Sequence, residues 1–173
     1  MTICHQGRTM PTHTQFINWH VAAVLLSIGL LAGCSGVKTY PNTLTKNLHV
    51  QTETDSSSLF STVRAAVSIY GVDADCQLEY EGTVALDESS VAVGIPSDRA
   101  SYLVFDFSKS SFLANSRSTI SYETLLKPAA GRIYDIKVSY IDDIYNVEIL
   151  ETNPGNGAGR HIERRNLSSC KSA

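Results

Sequence analysis

Among the residues of this chain, the four cysteines can undergo the widest range of chemical modification. They are Cys4, Cys34, Cys76 and Cys170. A thiol can carry lipid, form a disulfide or bind a metal, and its sequence context indicates which of these to expect. Cys34 comes shortly after an uncharged apolar run, Val21–Leu31, whereas Cys76 and Cys170 lie in the long remainder of the chain. The sequence context therefore assigns these thiols to different kinds of chemistry.

The run Val21–Leu31 has the length of a signal-peptide core and is too short for a membrane span. Its eleven residues would rise about 16 Å as a helix, whereas a bilayer core needs roughly 20 residues. A charge-free run of this length near the N-terminus is typical of a secretory signal. A buried core helix is the alternative, but such a helix should show a polar face, and this run offers only Ser27.

The segment Leu31-Ala32-Gly33-Cys34 resembles the lipobox of bacterial lipoproteins. The resemblance implies cleavage before Cys34, with lipid on its sulfur and on its new α-amino group. Several acyl chains anchor a protein stably, whereas one chain binds a membrane only marginally. In the sorting pattern that accompanies the lipobox, Asp after the cysteine favours the inner membrane. Ser35 therefore implies a lipid-anchored protein of the outer membrane that faces the periplasm.

The lipobox also implies how the chain is organised. We expect a signal peptide over residues 1–33, a lipidated tether over residues 34–46 and a β-sandwich domain over residues 47–173. Removing 33 of the 173 residues leaves 140, which is enough to bury about two thirds of the unfolded surface. Met10 is an alternative start, but starting there would remove Arg8, the only Lys or Arg before the apolar run.

Cys76 and Cys170 are the two thiols that would reach an oxidising compartment unmodified. Such a compartment favours a Cys76–Cys170 disulfide, which would tie the C-terminal tail to the domain. Two free thiols are the alternative. Zinc needs three or four ligands, and the processed chain adds only His49 and His161 to these cysteines. We therefore expect no metal and no cofactor.

Charge and motifs narrow the function classes. The chain has 14 Lys and Arg against 17 Asp and Glu, whereas a nucleic-acid-binding domain would show a basic surplus. It lacks both a Gly-x-Ser-x-Gly elbow and a glycine-rich phosphate loop. Asp73 and Asp75 match only two positions of a calcium loop. We expect a non-enzymatic module that binds or scaffolds an envelope protein or polymer. The alternative is a periplasmic hydrolase whose site is assembled from distant strands.

Two groups of side chains are candidates for a partner surface. Three tyrosines flank the last predicted hairpin, where they could line a carbohydrate or peptide groove or could be core residues with a wet hydroxyl. Three arginines make the C-terminal tail basic, so that it could meet anionic lipid head groups or a polymer, or could guard a strand edge against aggregation. The two groups are Tyr134, Tyr140 and Tyr145, and Arg160, Arg164 and Arg165.

Most of the chain after residue 46 alternates apolar and polar residues with a period of two, which is typical of half-buried strands. Residues 108–118 are rich in serine and predict a long loop, and residues 57–66 leave room for a short helix. The pattern predicts an all-β protein, an antiparallel β-sandwich of about seven to nine strands, with a small β-barrel as the alternative. The strand-like segments are 48–52, 63–69, 78–86, 91–95, 102–107, 119–126, 134–140, 145–149 and 161–165.

Two short motifs carry a looser resemblance. Gly94-Ile95-Pro96 is followed by a strand-like segment, and Gly131-Arg132-Ile133-Tyr134 opens another. On these motifs the domain resembles the small sandwich modules of periplasmic lipoproteins, of the transthyretin-like or PEGA-like kind. That resemblance implies a β-sandwich and assigns no catalytic residue.

Overall fold

The computed structural model describes residues 36–54, 61–111, 113, 115–155, 157 and 159–172. The predicted signal peptide, residues 1–33, and the predicted lipidation site, Cys34, lie outside the described residues. From Val37 onward the chain is one compact unit. Its elements are β1 (Leu48–Thr54), β2 (Ser61–Val72), β3 (Leu78–Ala85), β4 (Ser90–Val93), β5 (Ser101–Ser111), β6 (Ser116–Leu126), β7 (Ile133–Ile141), β8 (Ile144–Thr152), β9 (Gly159–His161) and a 3₁₀ helix (Leu167–Ser172).

The strands form two sheets, with the orders β4-β1-β7-β8-β9 and β3-β2-β5-β6. The predicted all-β sandwich is confirmed. Its pairings are antiparallel except that β1 runs parallel to β7, from Leu48↔Tyr134 to Thr54↔Tyr140. A parallel pair needs a long crossover, and β2 to β6 supply it here. Within the described ranges no strand ladder joins the two sheets, so the alternative of a closed barrel is wrong.

The core lies between the two sheets, because a period of two turns every second side chain inward. Along β5 the inward residues are Leu103, Phe105 and Phe107, and the Phe107 ring stacks on Tyr140 of β7 with ring centroids 6.0 Å apart. Full burial of one such side chain stabilises the fold by about 1.5–3 kcal/mol. The core cluster is Tyr40, Leu48, Val50, Ala65, Val67, Ile69, Leu86, Val93, Ile95, Leu103, Phe105, Phe107, Leu126, Tyr134, Ile136, Val138, Tyr140, Val147 and Ile149.

The serine-rich segment 108–118 is where the sequence prediction of a long loop is wrong. β5 extends into it as far as Ser111, β6 begins within it at Ser116, and the two strands pair as far as Ser111↔Ser116. On its other side β5 pairs with β2 as far as Ser61↔Ser111. Ladder hydrogen bonds from both neighbours therefore hold β5 extended, although serine has little strand preference of its own. The same pairing makes residues 61–66 strand, so the described part of the alternative short helix is also excluded.

Candidate functional site

Two segments outside the sheets cross the open sides of the sandwich. We call residues 38–47 the strap, because they run from the edge of β3 to the edge of β4. We call residues 162–172 the tail, because they run from β8 across to β6. Edge strands present unpaired N–H and C=O groups, so these two segments decide which edges stay open to a partner.

The strap is bound to β3 through its main chain. The Thr83 N–H donates to the Lys38 carbonyl at 2.8 Å, and the Tyr40 N–H donates to the Thr83 carbonyl at 3.0 Å. Tyr40 is 6% exposed, and its hydroxyl donates to the Gly94 carbonyl at 2.9 Å. The sequence predicts a tether over residues 34–46, but from Lys38 onward this segment belongs to the folded domain, because Tyr40 buries its ring in the core.

Two asparagines fix the strap to the end of β4. The Asn42 side chain accepts from the Gly94 N–H at 2.9 Å and donates to the Ala92 carbonyl at 3.0 Å. The Asn47 side chain accepts from the Ile95 N–H and donates to the Ile95 carbonyl, both at 2.9 Å. An amide side chain can donate and accept at once, so each asparagine satisfies two backbone groups that no sheet neighbour reaches.

The tail joins the two sheets on the opposite side. The Ile162 N–H donates to the Ile149 carbonyl of β8 at 2.9 Å. Three residues later the chain reaches β6, where the Leu125 N–H donates to the Arg165 carbonyl at 2.8 Å and the Arg165 N–H donates to Thr124 Oγ1 at 3.2 Å. The predicted edge strand 161–165 is therefore strand only as far as His161, and its second half covers the edge of β6 instead.

The arginines that the sequence offers as a partner surface contact different parts of the domain. Arg164 donates from Nε to the Glu123 carbonyl at 3.0 Å, and its guanidinium lies 5.1 Å from the centre of the Tyr122 ring. That distance is within the range of a cation–π contact. Arg160 on β9 is paired with Glu151 at 2.9 Å. Two of the three arginines therefore hold their own domain together, one at β6 and one at β8.

The predicted Cys76–Cys170 disulfide is confirmed. The two residues are separated by 94 positions, and their Cα atoms are 6.0 Å apart. Cys76 precedes β3, and Cys170 lies in the 3₁₀ helix. Around the bond a small second apolar cluster forms on the outer face of the four-stranded sheet, made of Val72, Tyr102 and Leu125 with Tyr70, Ala100, Val104, Leu167 and Cys170 packed against them.

Tyr102, a member of this cluster, has a raised pKa. Its hydroxyl donates to Glu123 Oε2 at 2.7 Å. Burial first, and then the hydrogen bond to the Glu123 carboxylate and its negative charge, raise the pKa of Tyr102 to about 12. Tyr102 is therefore a neutral donor at physiological pH, and it ties β5 to β6 beside the tail.

The three candidate tyrosines do not form one exposed surface. Tyr134 and Tyr140 are 1% and 5% exposed, and only Tyr145 is partly open, at 38%. Tyr134 accepts from the Ala129 N–H at 2.9 Å, and Tyr140 donates to Asp143 Oδ1 at 3.0 Å. Both lie on the inward face of β7, so the groove interpretation is wrong for them. The alternative, core residues with a hydrogen-bonded hydroxyl, describes them.

A groove that the sequence did not indicate lies at the end of the sandwich where β1 begins. It encloses about 790 Å³ and is lined by the strap and by the connections from β4 to β5 and from β6 to β7. Three cations, Lys46, Arg99 and Arg132, stand on its walls beside Asp98 and the apolar Ile95. A concave surface of mixed polarity with several hydrogen-bond donors suits a polar ligand.

The cations of this groove are already partnered. Lys46 donates to Asn42 Oδ1 at 2.6 Å, and Arg132 Nε lies 3.7 Å from Glu151. Arg99 forms an ion pair with Glu81. A side chain at Gly71 would clash with that pair, since its Cβ would lie 2.8 Å from the Glu81 carboxylate. The positive charges of the groove are thus nearly balanced by neighbouring carboxylates. Its arginines are therefore better placed to orient hydrogen bonds than to attract a highly charged anion.

Asp73 and His49, two residues of types used in catalysis or metal binding, make local contacts with neighbouring groups. The Asp73 carboxylate accepts from the N–H groups of Asp75 and Gln77 at 2.9 and 2.8 Å, which caps its own turn. His49 Nδ1 lies 3.5 Å from Asp135, and Thr152 also hydrogen-bonds to Asp135. The hydroxyl therefore contacts the carboxylate and not the imidazole, which is not the order of a nucleophile, base and orienting acid.

Comparison with models of protein families and with curated proteins finds no match. Among the described residues, no group of three or more His, Cys, Asp or Glu side chains is arranged to hold a metal ion. In the same residues no helix is long and apolar enough to cross a membrane. What the groove can bind therefore follows from the residues that line it.

Proposed function

We propose that the protein is an outer-membrane lipoprotein, held on the periplasmic face by lipid on Cys34, whose sandwich binds or scaffolds another component of the cell envelope without catalysing a reaction. Its partners are the membrane itself, through the acyl chains, and an envelope protein or polymer. Nucleic acid is not among them, because the chain is mildly acidic, with a net charge of −3.

The observation that carries the proposal is the Cys76–Cys170 disulfide in a chain that also carries the apolar run Val21–Leu31 and the lipobox-like Leu31–Cys34. Disulfides persist in oxidising compartments such as the periplasm and are rare in the cytosol. A structural disulfide therefore supports the export that the N-terminal pattern implies. The two observations are independent, since one rests on the first 34 residues and the other on the folded domain.

The contacts that the polar side chains make favour binding over catalysis. The groove at the start of β1 presents Lys46, Arg99 and Arg132 beside Asp98 and the apolar Ile95, an arrangement suited to recognising a polar ligand. His49 and Asp73, the residues with catalytic or metal-binding types, are used in surface and turn contacts. This distribution supports a recognition surface more than a reaction centre.

The lipid anchor is tested with Cys34→Ser, and Cys4→Ser is the matched control because it removes a thiol that leaves with the signal peptide. Cys34→Ser should abolish incorporation of labelled palmitate and release the protein from the membrane fraction, whereas Cys4→Ser should do neither. A Cys34→Ser protein that still carries lipid and still sediments with outer membranes would contradict the proposal. Ser35→Asp should move the protein to the inner membrane, and Ser35→Ala should not.

The binding role is tested with a photo-crosslinking residue in place of Ser97, in the groove, or Gln51, on the exposed face of β1. In intact envelopes the residue at position 97 should give a discrete crosslinked product that is absent at position 51. Absence of any product at position 97, or identical products at both positions, would contradict recognition in the groove.

A further inference from the structure

We infer that lipid on Cys34 holds the edge formed by β3 and β4 against the phospholipid surface, and that the opposite edge, formed by β6, β9 and the tail, faces the periplasm. This inference rests on the proposed lipidation of Cys34. It names the face of the domain that meets the membrane and the face left for a partner. Sequence alone predicts no preferred face, because it predicts a long free tether.

The segment that joins the lipidated Cys34 to Lys38 of the folded domain, which we call the leash, is short. Only Ser35, Gly36 and Val37 separate Cys34 from Lys38, whose carbonyl already accepts the Thr83 N–H at 2.8 Å. Four residue steps span at most about 14 Å, even when fully extended. A tether that stayed free as far as residue 46 would span up to about 43 Å by the same rule. Binding of the strap thus removes about two thirds of the expected reach.

The strap itself is not a loosely placed segment. Tyr40 is buried among core residues, and Asn42 and Asn47 each hold backbone groups at the end of β4. Gly82 and Gly94 leave room for the strap, since a Cβ at either position would meet strap backbone. Because side chains and glycines on both partners fit together, the leash ends at Lys38, where the chain becomes part of the folded domain.

The far edge lies at the limit of this reach or beyond it. In the four-stranded sheet β3 and β6 are opposite edges, and in the five-stranded sheet β4 and β9 are opposite edges. The strap joins β3 to β4 and the tail joins β8 to β6, so the strap and the tail mark opposite sides of the sandwich. Three to four strand spacings of about 4.8 Å place the far edge about 14–19 Å beyond the near one.

The surface beside the leash has the chemistry of a membrane interface. Val37 and Leu78 are apolar and are 73% and 40% exposed. Lys38, the first residue of the strap, follows Val37, and the Tyr80 hydroxyl donates to the Lys38 carbonyl at 3.2 Å. Lysine and tyrosine combine an apolar body with a polar end, and such side chains suit the boundary between acyl chains and water. We therefore assign the phospholipid headgroup layer as the occupant of this face.

The orientation is measurable by energy transfer from tryptophan to dansyl-labelled phosphatidylethanolamine. The only tryptophan, Trp19, precedes the lipobox, so the processed chain has none. Ala85→Trp places a reporter at the end of β3, and Ser118→Trp places one on β6; both positions are exposed. Each lipidated full-length protein is reconstituted into vesicles of phosphatidylethanolamine and phosphatidylglycerol. Transfer from Ala85→Trp should be at least about twice that from Ser118→Trp, because β6 lies some 14 Å farther away.

Lengthening the leash is the second measurement. Twelve Gly/Ser residues inserted after Gly36 add a coil with an end-to-end distance of about 19 Å, so the two reporters should then transfer equally. Equal transfer with the natural leash, stronger transfer from Ser118→Trp, or a difference that survives the insertion would each overturn the orientation while leaving the lipoprotein proposal intact. Protein that carries no lipid and does not float with the vesicles would overturn both.

Discussion

Replacing Gly82 by alanine is expected to lift the strap from the edge of β3. Gly82 has φ +146°, a conformation that side-chain-bearing residues rarely adopt, and a Cβ there would lie 2.6 Å from both the Cα and the N of Tyr40. These are backbone atoms, which cannot swing aside as the end of a long side chain does. Either the strap or β3 must therefore move.

The expected loss of folding free energy follows from the interactions that the strap loses and from the backbone strain. Burial of a large apolar side chain such as Tyr40, which is 6% exposed, is worth about 1.5–3 kcal/mol. The hydrogen bond from its hydroxyl to the Gly94 carbonyl adds about 1 kcal/mol. Strain of alanine at the Gly82 φ adds at least about 1 kcal/mol. We expect Gly82→Ala to lower the free energy of unfolding by about 3–5 kcal/mol.

Alanine substitutions at three other glycines separate the effect of backbone strain from the effect of a steric clash. Gly131→Ala introduces positive-φ strain alone, because φ is +75° and nothing lies within 4 Å, so it should cost about 1–2 kcal/mol. Gly94→Ala introduces a clash alone, with the Leu44 carbonyl of the strap. Gly36→Ala introduces neither, since its surroundings are open, and it should be neutral. Of these four substitutions, Gly82→Ala alone combines strain with a backbone clash.

Urea unfolding of the domain secreted without its acyl anchor measures the effect. With a slope near 2 kcal/mol per M, a loss of about 4 kcal/mol lowers the midpoint by about 2 M. Hydrogen exchange at the Tyr40 N–H, which donates to the Thr83 carbonyl at 3.0 Å, should accelerate in Gly82→Ala and stay slow in Gly131→Ala. If Gly82→Ala costs no more than Gly131→Ala, the strap does not bind as described.

Two further predictions concern the tail and the tyrosine beside it. Replacing both Cys76 and Cys170 by serine should lower the free energy of unfolding by up to about 4–5 kcal/mol and speed exchange of the Leu125 N–H; unchanged exchange there would mean that the tail binds without the disulfide. Because the pKa of Tyr102 rises from 10.0 to about 12 on folding, its contribution is complete below pH 10 and is lost as pH rises to 12. Tyr102→Phe should flatten that decline in urea-measured stability, and an equal decline in both proteins would refute the assignment.

The last hairpin shows how far local pattern can lead. Alternation over residues 134–140 and 145–149 predicts two strands, and Asp142 and Asp143 between them predict the turn. Both aspartates adopt positive φ, 50° and 62°, as a two-residue turn of the hairpin type requires. The two strands and the turn each depend on residues within a few positions of one another, so the local sequence predicts them. The Cys76–Cys170 disulfide was predictable for a different reason, since the other cysteines had other expected fates.

The strap and the serine-rich hairpin required tertiary information. Nothing within residues 36–46 marks Tyr40 as buried, because its pocket is made by Gly82 and Gly94, more than forty residues away. Residues 108–118 have turn-like composition, yet pairing of β5 with β2 and β6 makes residues 108–111 and 116–118 strand. The sequence itself therefore determined the β class, the inward and outward faces, the disulfide and the expected address. Strand order, the parallel β1–β7 pair, the strap and the groove were decided only by contacts between distant segments, which no local period encodes.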